Sequence, residues 1–372
     1  MAMLHLALRA GVPVRAATVD HGLRPEAAAE AAWVGTVCAE LGVPHQVLTW
    51  AWDGTGNLQD AARRGRRAVM ARWAGPGASV ALAHTSDDVA EGFVLRLARG
   101  AGVDGLAAMA AHWTESGVGW VRPLLGVSRA ELRVFLRSIG RAWVEDPSND
   151  NDRFDRVRVR KALAVLAPLG IDADRLAEVA GHLAEAREAL ELATGAAWAR
   201  VVADKAIALE IDREALAAEP AEIQRRVLVG VILRIAHADY APRGAAVTLL
   251  LARLVSGRDG VLAGCRFQVV KGRLWAFREG RAVAGLFAGQ GALWDGQWRI
   301  AGDWPDGSEV RALGDGLARC GDWRRLGLPR AALMASPALW QGKRLIAAPH
   351  AGYNLAYSAI PLLPAAALHQ LP

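Results

Sequence analysis

The sequence predicts an α/β protein: a doubly wound parallel sheet first, then an α-rich domain, then a small β-rich carboxyl-terminal domain. Three observations carry this. Short apolar runs alternate with helical segments over the first half, the pattern of βαβ units. Polar residues suited to chemistry follow those runs, at the carboxyl ends where open α/β sheets bind ligands. Past residue 168 the texture changes to a long alanine-rich stretch, and from about 289 to tryptophan-rich hairpin segments. The expected boundaries are 1–168, 169–288 and 289–372.

Taken in order, Met1–Gly11 reads as a short helix with a glycine stop, with no strand before it and none of the marks of a signal peptide. Val12–Val19 is the first strand, ending at Asp20-His21-Gly22. Glu26–Leu41 has helical spacing in Ala29, Trp33, Val37 and Leu41 and stops at Gly42. His45–Trp50 is the second strand. Asn57 opens a basic helix that runs to Trp73. Ser79–Ala83 reads as a buried strand of the parallel kind, and the helix behind it begins at Val89. Trp120–Leu125 is a last strand cut off by Pro123, and Ser128-Arg129-Ala130-Glu131 is a capping box. Ala173–Arg200 is a long amphipathic helix, 220–236 and 244–256 are shorter ones, and 264–277 is a hairpin turning on Lys271-Gly272.

Bulk numbers set limits. The chain has 372 residues and 53% hydrophobic content, enough for two or three domains with real cores. No apolar run is long enough to span a membrane, so a chain without a membrane partner is expected. The formal charge is +6 and the pI about 9.7, compatible with a polyanionic partner. Cys38, Cys265 and Cys320 are scattered, which argues against zinc knuckles and a disulfide scaffold and makes a reducing cytoplasm the default. Walker A, H-E-x-x-H and G-x-S-x-G patterns are absent, and the one G-x-G-x-x-G, Gly100 to Gly105, follows a helical segment rather than a strand, which argues against P-loop NTPases, zincins, serine hydrolases and dehydrogenases.

Three stretches carry chemistry. His84-Thr85-Ser86-Asp87-Asp88-Val89-Ala90-Glu91 puts adjacent carboxylates at a strand's carboxyl end. They suit a Mg²⁺, an amine or a guanidinium, and equally Ser86 or Asp87 caps the helix with Asp88 in its first turn. Arg63, Arg64, Arg66, Arg67 and Arg72 lie on one helix, Arg63 and Arg67 sharing a face with Arg66 beside them, where like charges call for an anion rich in phosphate. Arg156, Arg158 and Arg160 alternate, as on one side of an edge strand or extended loop, and suit a nucleic-acid backbone or a nucleotide phosphate. The last two have a bland reading as solvated polar surface, and the tryptophans of the carboxyl-terminal domain read as core.

The ordered set is specific. Asp20-His21-Gly22-Leu23-Arg24 precedes Asn57 and Ala62-Arg63-x-x-Arg66, then His84-x-x-Asp87-Asp88-x-x-Glu91 and Arg96-x-x-Arg99-Gly100-x-Gly102-x-x-Gly105-Leu106. Arg122-Pro123-Leu124-Leu125, Trp143-x-Glu145-Asp146-x-Ser148-Asn149 and Arg156-x-Arg158-x-Arg160 follow. Over about residues 1–165 this resembles the tRNA(Ile)-lysidine synthase family of the PP-loop, or N-type ATP pyrophosphatase, superfamily. The resemblance implies an adenine nucleotide alpha hydrolase-like sheet and a cytoplasmic ligase that uses ATP with Mg²⁺. It implies adenylation of C2 of the wobble cytidine in a tRNA(Ile) with a CAU anticodon, followed by attack of the amine of free L-lysine. Asp88, Arg66 and Arg160 are then the catalytic candidates. Asp20, His21, Arg66 and His84 fall on the nucleotide side, and Arg63, Asp87, Glu91, Arg156 and Arg158 on the substrate and tRNA side. No metal ligands are identifiable, and oligomeric state is left open, a homodimer included.

The chain departs from the family at points. The S-G-G-x-D-S loop that cradles pyrophosphate is absent, and Met1–Leu6 matches the helix that follows it. Arg67 stands where the family usually has tyrosine, Gly92 where it has threonine, and His84-Thr85 where it has His-His. From these the sequence predicts a truncated amino terminus, a sheet with its first strand missing, and an impaired enzyme. The alternatives are a non-catalytic tRNA-binding relative, another PP-loop tRNA-modifying enzyme such as a thiolase, and a metal-dependent phosphohydrolase.

Overall fold

The computed structural model describes residues 1–20, 26–52, 54, 58–144, 155–238 and 240–362. The chain divides into two compact units, Met1–Glu188 and Ala189–Pro372. The expected features at His21, Asn57 and 145–154 lie outside the described residues.

The first unit opens with helix α1 (Ala2–Arg9) and strand β1 (Ala16–Asp20), then α2 (Glu26–Glu40) and β2 (His45–Thr49). β1 and β2 pair in parallel, Ala16 opposite His45 and Asp20 opposite Thr49. β1 starts later than its apolar run because Pro13 has no N–H to give a ladder. Helix α3 (Leu58–Ala74) follows. It comes close to Trp50 because Gly65 has no side chain: a Cβ there would lie 1.8 Å from the Trp50 indole nitrogen.

Strand β3 (Ser79–Ala81), helices α4 (Ser86–Leu97) and α5 (Val103–Leu106), and strands β4 (His112–Glu115) and β5 (Val118–Val121) come next. β5 pairs in parallel with β3 and antiparallel with β4. β4 is not foreseen from the sequence. It exists because Ser116 and Gly117 both adopt positive φ, 56° and 73°, and so turn the chain tightly into β5. β3 forms one edge of this ladder, so Val80 alone among its three residues is buried, fewer than a doubly covered strand buries. Trp120 is fully buried between the layers with Leu48, Val69, Met70 and Val118. Burying such a ring is worth about 4 kcal/mol, taking ~25 cal/mol over ~150 Å².

Helix α6 (Arg129–Ser138) starts from the predicted capping box, with Ser128 accepting from the Glu131 N–H and the Glu131 carboxylate reaching back to Ser128. Residues 155–166 form helix α7 (Asp155–Leu166), where the sequence suggested an extended segment. Helix α8 (Ala173–Val201) comes next. Its Ala180 packs with Val89 and Phe93 of α4.

The second unit is built on an antiparallel sheet: β6 (Val202–Asp204), β7 (Ala208–Ile211), β8 (Gly260–Leu262), β9 (Cys265–Val270) and β10 (Arg273–Arg278), in the order β6-β7-β10-β9-β8. Helices α9 (Arg213–Ala218), α10 (Ala221–Ala236) and α11 (Gly244–Val255) interrupt it. The β9–β10 turn is the predicted two-residue one, with Lys271 and Gly272 at φ 52° and 79°. β10 is buried on both faces. Leu274 and Ala276 meet α10 and α11, whereas Trp275 and Phe277 enter a second core with Trp294, Trp298 and Trp340. That core holds α12 (Gly280–Val283), β11 (Trp298–Ala301), β12 (Ser308–Ala312), α13 (Arg330–Met334), β13 (Pro337–Gln341), β14 (Arg344–Ala347) and β15 (Ser358–Pro361). Among the described residues no helix is long and apolar enough to cross a membrane.

Candidate active site

The site begins where α4 starts. Its cap is Thr85, not Ser86 or Asp87: Asp88 Oδ2 accepts from the Thr85 N–H at 3.0 Å and from its hydroxyl at 2.8 Å. Asp88 therefore closes a capping box as the third residue of the helix. The two residues first expected to cap are used elsewhere. Ser86 donates to Asp174 at 3.0 Å, and Asp87 Oδ2 accepts the backbone N–H of Arg129 at 2.7 Å.

Asp88 and Glu91 lie three residues apart, on one face of α4. Arg129, the first residue of α6, spans them: its two terminal nitrogens lie 2.7 Å from Asp88 Oδ1 and 2.7 Å from Glu91 Oε1. From α7, Arg160 Nε lies 2.7 Å from the same Glu91 oxygen. Arg156 lies 3.6 Å from Asp88 and 3.9 Å from Glu91. Glu91 is 1% exposed, and its Oε2 has no hydrogen-bond partner. Burial pushes the Asp88 carboxyl up, but Arg129, the two Thr85 hydrogen bonds and Arg156 outweigh it and hold it below its ordinary range.

The cationic side comes from α3. Arg66 is held below its usual proton affinity by burial and then by Arg63, Arg67 and Arg156, and its Nε is buried without a hydrogen-bond partner. Arg67 reaches Glu115 of β4 at 2.9 Å, and Trp113 Nε1 donates to the same oxygen at 3.2 Å. Arg96, near the end of α4, also carries buried nitrogens without partners and is lowered by burial and by Arg63. Arg122 stacks 4.1 Å from the Trp113 ring and donates from Nε to His84 Nδ1 at 3.1 Å. His84 is thereby neutral with its proton on Nε2, and burial and then Arg122 lower its pKa.

The predicted residues Asp87, Asp88, Glu91, Arg156 and Arg160 meet in one carboxylate–guanidinium cluster, and Arg66 and His84 sense it electrostatically. Arg158 does not join it. On a helix the alternation splits: Arg156 and Arg160 are one turn apart and face α4, while Arg158 pairs with Asp155. Asp20 ends β1 opposite Thr49, and Arg63 is exposed on α3. Sequence reasoning missed Arg129, noting only its capping box. The available signal was a cation in the first turn of a helix, against the dipole, which needs acidic partners.

The donor set fits a phosphate-rich ligand, since partnerless buried guanidinium N–H groups are what phosphate oxygens satisfy. Among the described residues no three His, Cys, Asp or Glu side chains are arranged to hold a metal.

A family model described as the PP-loop domain matches residues 1–166, so the first unit is of the PP-loop class. A tRNA(Ile)-lysidine synthase of Ruegeria pomeroyi is 47% identical over 367 residues, covering 96% of this chain and 88% of that protein. Those of Zymomonas mobilis and Hyphomonas neptunium are 38% and 39% identical, covering 74% and 70% of this chain and 84% and 72% of the relatives. The chain belongs to the tRNA(Ile)-lysidine synthase family, and it is an ATP-dependent ligase of tRNA modification.

These matches overturn two expectations: that the amino-terminal domain is cut off behind an absent phosphate loop, and that the enzyme is impaired. The PP-loop domain is matched from residue 1, and the similarity to the Ruegeria protein extends over nearly the whole chain. The non-catalytic alternative falls with them.

Proposed function

We propose that the chain adenylates C2 of the wobble cytidine of a CAU-anticodon tRNA(Ile) with ATP, and then joins that carbon to the side-chain amine of free L-lysine. In the first step the C2 oxygen bonds to the α-phosphorus and diphosphate leaves. In the second the amine bonds to C2, the C2–O bond breaks and AMP leaves. The observation that carries this is the near-full-length similarity to the Ruegeria lysidine synthase, combined with an acid cluster beside buried, unsatisfied arginines.

Roles follow from the local chemistry. Arg66 contacts phosphate, with Arg63 adding charge from the same face and His84 and Asp20 bordering the nucleotide. Mg²⁺ comes with the triphosphate rather than in a protein cage. Asp88 holds the lysine ammonium and takes the proton it sheds before its lone pair bonds to C2. Its lowered proton affinity makes it an electrostatic holder more than a strong base. Arg160 and Arg156 approach the reacting nucleotide, and Arg158 lies on the tRNA side. The sheet is doubly wound in this reading, and the second unit carries two apolar cores that share β7 and β10. A cytoplasmic setting agrees with three free, buried thiols.

The test is reconstitution of the full chain with ATP, Mg²⁺, lysine and a CAU-anticodon tRNA(Ile) transcript. AMP release and a mass gain of one lysine less water at the wobble cytidine are expected, and neither with a CAU-anticodon tRNA(Met). AMP release with no lysine transfer would remove the lysine assignment. Modification of a different nucleotide would remove the tRNA assignment.

A further inference from the structure

Arg129 sits where a cation is unwelcome, in the first turn of α6 at the positive end of the helix. It is nevertheless fixed at three points. Its backbone N–H is held by Asp87, and its two terminal nitrogens reach Asp88 and Glu91, each contact being 2.7 Å. Without a cation between them, two carboxylates one helical turn apart would repel and one would take up a proton. A planar guanidinium fork reaches both with two separate nitrogens, whereas a lysine side chain at position 129 has one nitrogen to take the place of both.

What the bridge leaves open is specific. Asp88 Oδ2 is consumed by Thr85. Asp88 Oδ1 keeps acceptor capacity beside Arg129, and Glu91 Oε2, inside a residue only 1% exposed, has no hydrogen-bond partner; Arg156, a half-exposed side chain, faces the two at 3.6 and 3.9 Å, beyond hydrogen-bond distance, and is what an incoming amine would displace. An alkylammonium with three donors matches two such acceptors.

We propose that Arg129 is the positioning residue of the amine subsite: its fork holds Asp88 and Glu91 so that Asp88 Oδ1 and Glu91 Oε2 are presented together to the incoming lysine amine. Arg129 acts through those carboxylates and does not touch the reacting atoms. The inference rests on the assignment of the lysine amine to Asp88 made above.

The experiment varies lysine and ATP separately in steady-state kinetics of the full chain carrying Arg129→Lys, Arg129→Ala or Asp88→Asn. Arg129→Lys is expected to raise KM for lysine roughly tenfold and to leave KM for ATP within about twofold. Free guanidinium is expected to restore lysine transfer to Arg129→Ala and not to Asp88→Asn. The inference is overturned if both Arg129 variants keep the wild-type KM for lysine. It is also overturned if both KM values rise together with a lowered Tm and no guanidinium recovery, the pattern of a merely structural residue. Should Arg129→Ala fail to fold, the Arg129→Lys split decides. If Asp88→Asn raises KM for lysine while the Arg129 variants do not, Arg129 alone is misassigned. If Asp88→Asn leaves KM for lysine unchanged, the assignment of Asp88 falls, and the role of Arg129 with it.

Discussion

Arg160 donates through Nε to Glu91 at 2.7 Å, joining the first half of α7 to the buried face of α4. Glu91 is 1% exposed, whereas Arg129 and Arg160 are 31% and 33% exposed, so two partly solvated guanidiniums link three helices through one buried carboxylate.

Such a link is costly to break from one side. Glu91→Gln keeps the shape and removes the charge, leaving Arg129 and Arg160 without their shared counterion. A loss of about 3 kcal/mol in urea denaturation is expected. A loss below about 0.5 kcal/mol would mean that the helices are held by apolar packing instead.

Arg66 presents the opposite case. It is partly buried among Arg63, Arg67 and Arg156, and its Nε is unsatisfied, so it destabilises the ligand-free protein. Arg66→Gln is expected to raise the stability of the free chain by about 1 kcal/mol and to lower ATP-dependent turnover by about a hundredfold. Thermal melts with and without ATP check it: the wild type gains from the nucleotide and the variant does not. A variant that loses stability while keeping turnover would show Arg66 to be a structural residue.

His350 gives a pH dependence in the second unit. It packs edge-on against Trp298, with ring centroids 4.7 Å apart, and burial lowers its pKa from 6.5 to about 4. The unfolded chain therefore binds a proton near pH 6.5 that the folded chain refuses until about pH 4. Its contribution is fully present above pH 6.5 and shrinks as the pH falls to about 4, by up to ~3 kcal/mol. His237, lowered to about 4 chiefly by burial, pulls the same way. His350→Phe should flatten the decline of urea stability between pH 7 and pH 5. An unchanged slope would place the pH dependence elsewhere.

Much of this fold was legible because local signals agreed. The type of turn at Lys271-Gly272, the capping box at Ser128 and the helical spacing of α2, α8 and α10 each follow from side-chain chemistry within a few residues. The strand at His112–Glu115 was not legible, since four residues carry little periodicity and its cause is a backbone turn at Ser116. The arginines of α7 misled because alternation satisfies two periods at once: positions 156 and 160 are neighbours on a helix as well as on a strand. The acid cluster was visible as a motif, but its organiser was not. Arg129 lies about forty residues downstream, and only the packing of α6 against α4 brings it there. The inference of truncation failed differently. It weighed one absent hexapeptide above similarity spread over the whole first unit.

Asp88 divides its carboxylate between two employments. One oxygen ends a helix, and the other meets Arg129. Under the proposed role of Asp88, foldedness and chemistry are therefore selected at a single position. A mutational screen that scores only abundance will flag Asp88 as strongly as one that scores lysidine formation. Separating the two requires Thr85→Ala, which weakens the cap and leaves Asp88 ionised beside Arg129. That variant should lose abundance while each surviving molecule keeps its affinity for lysine.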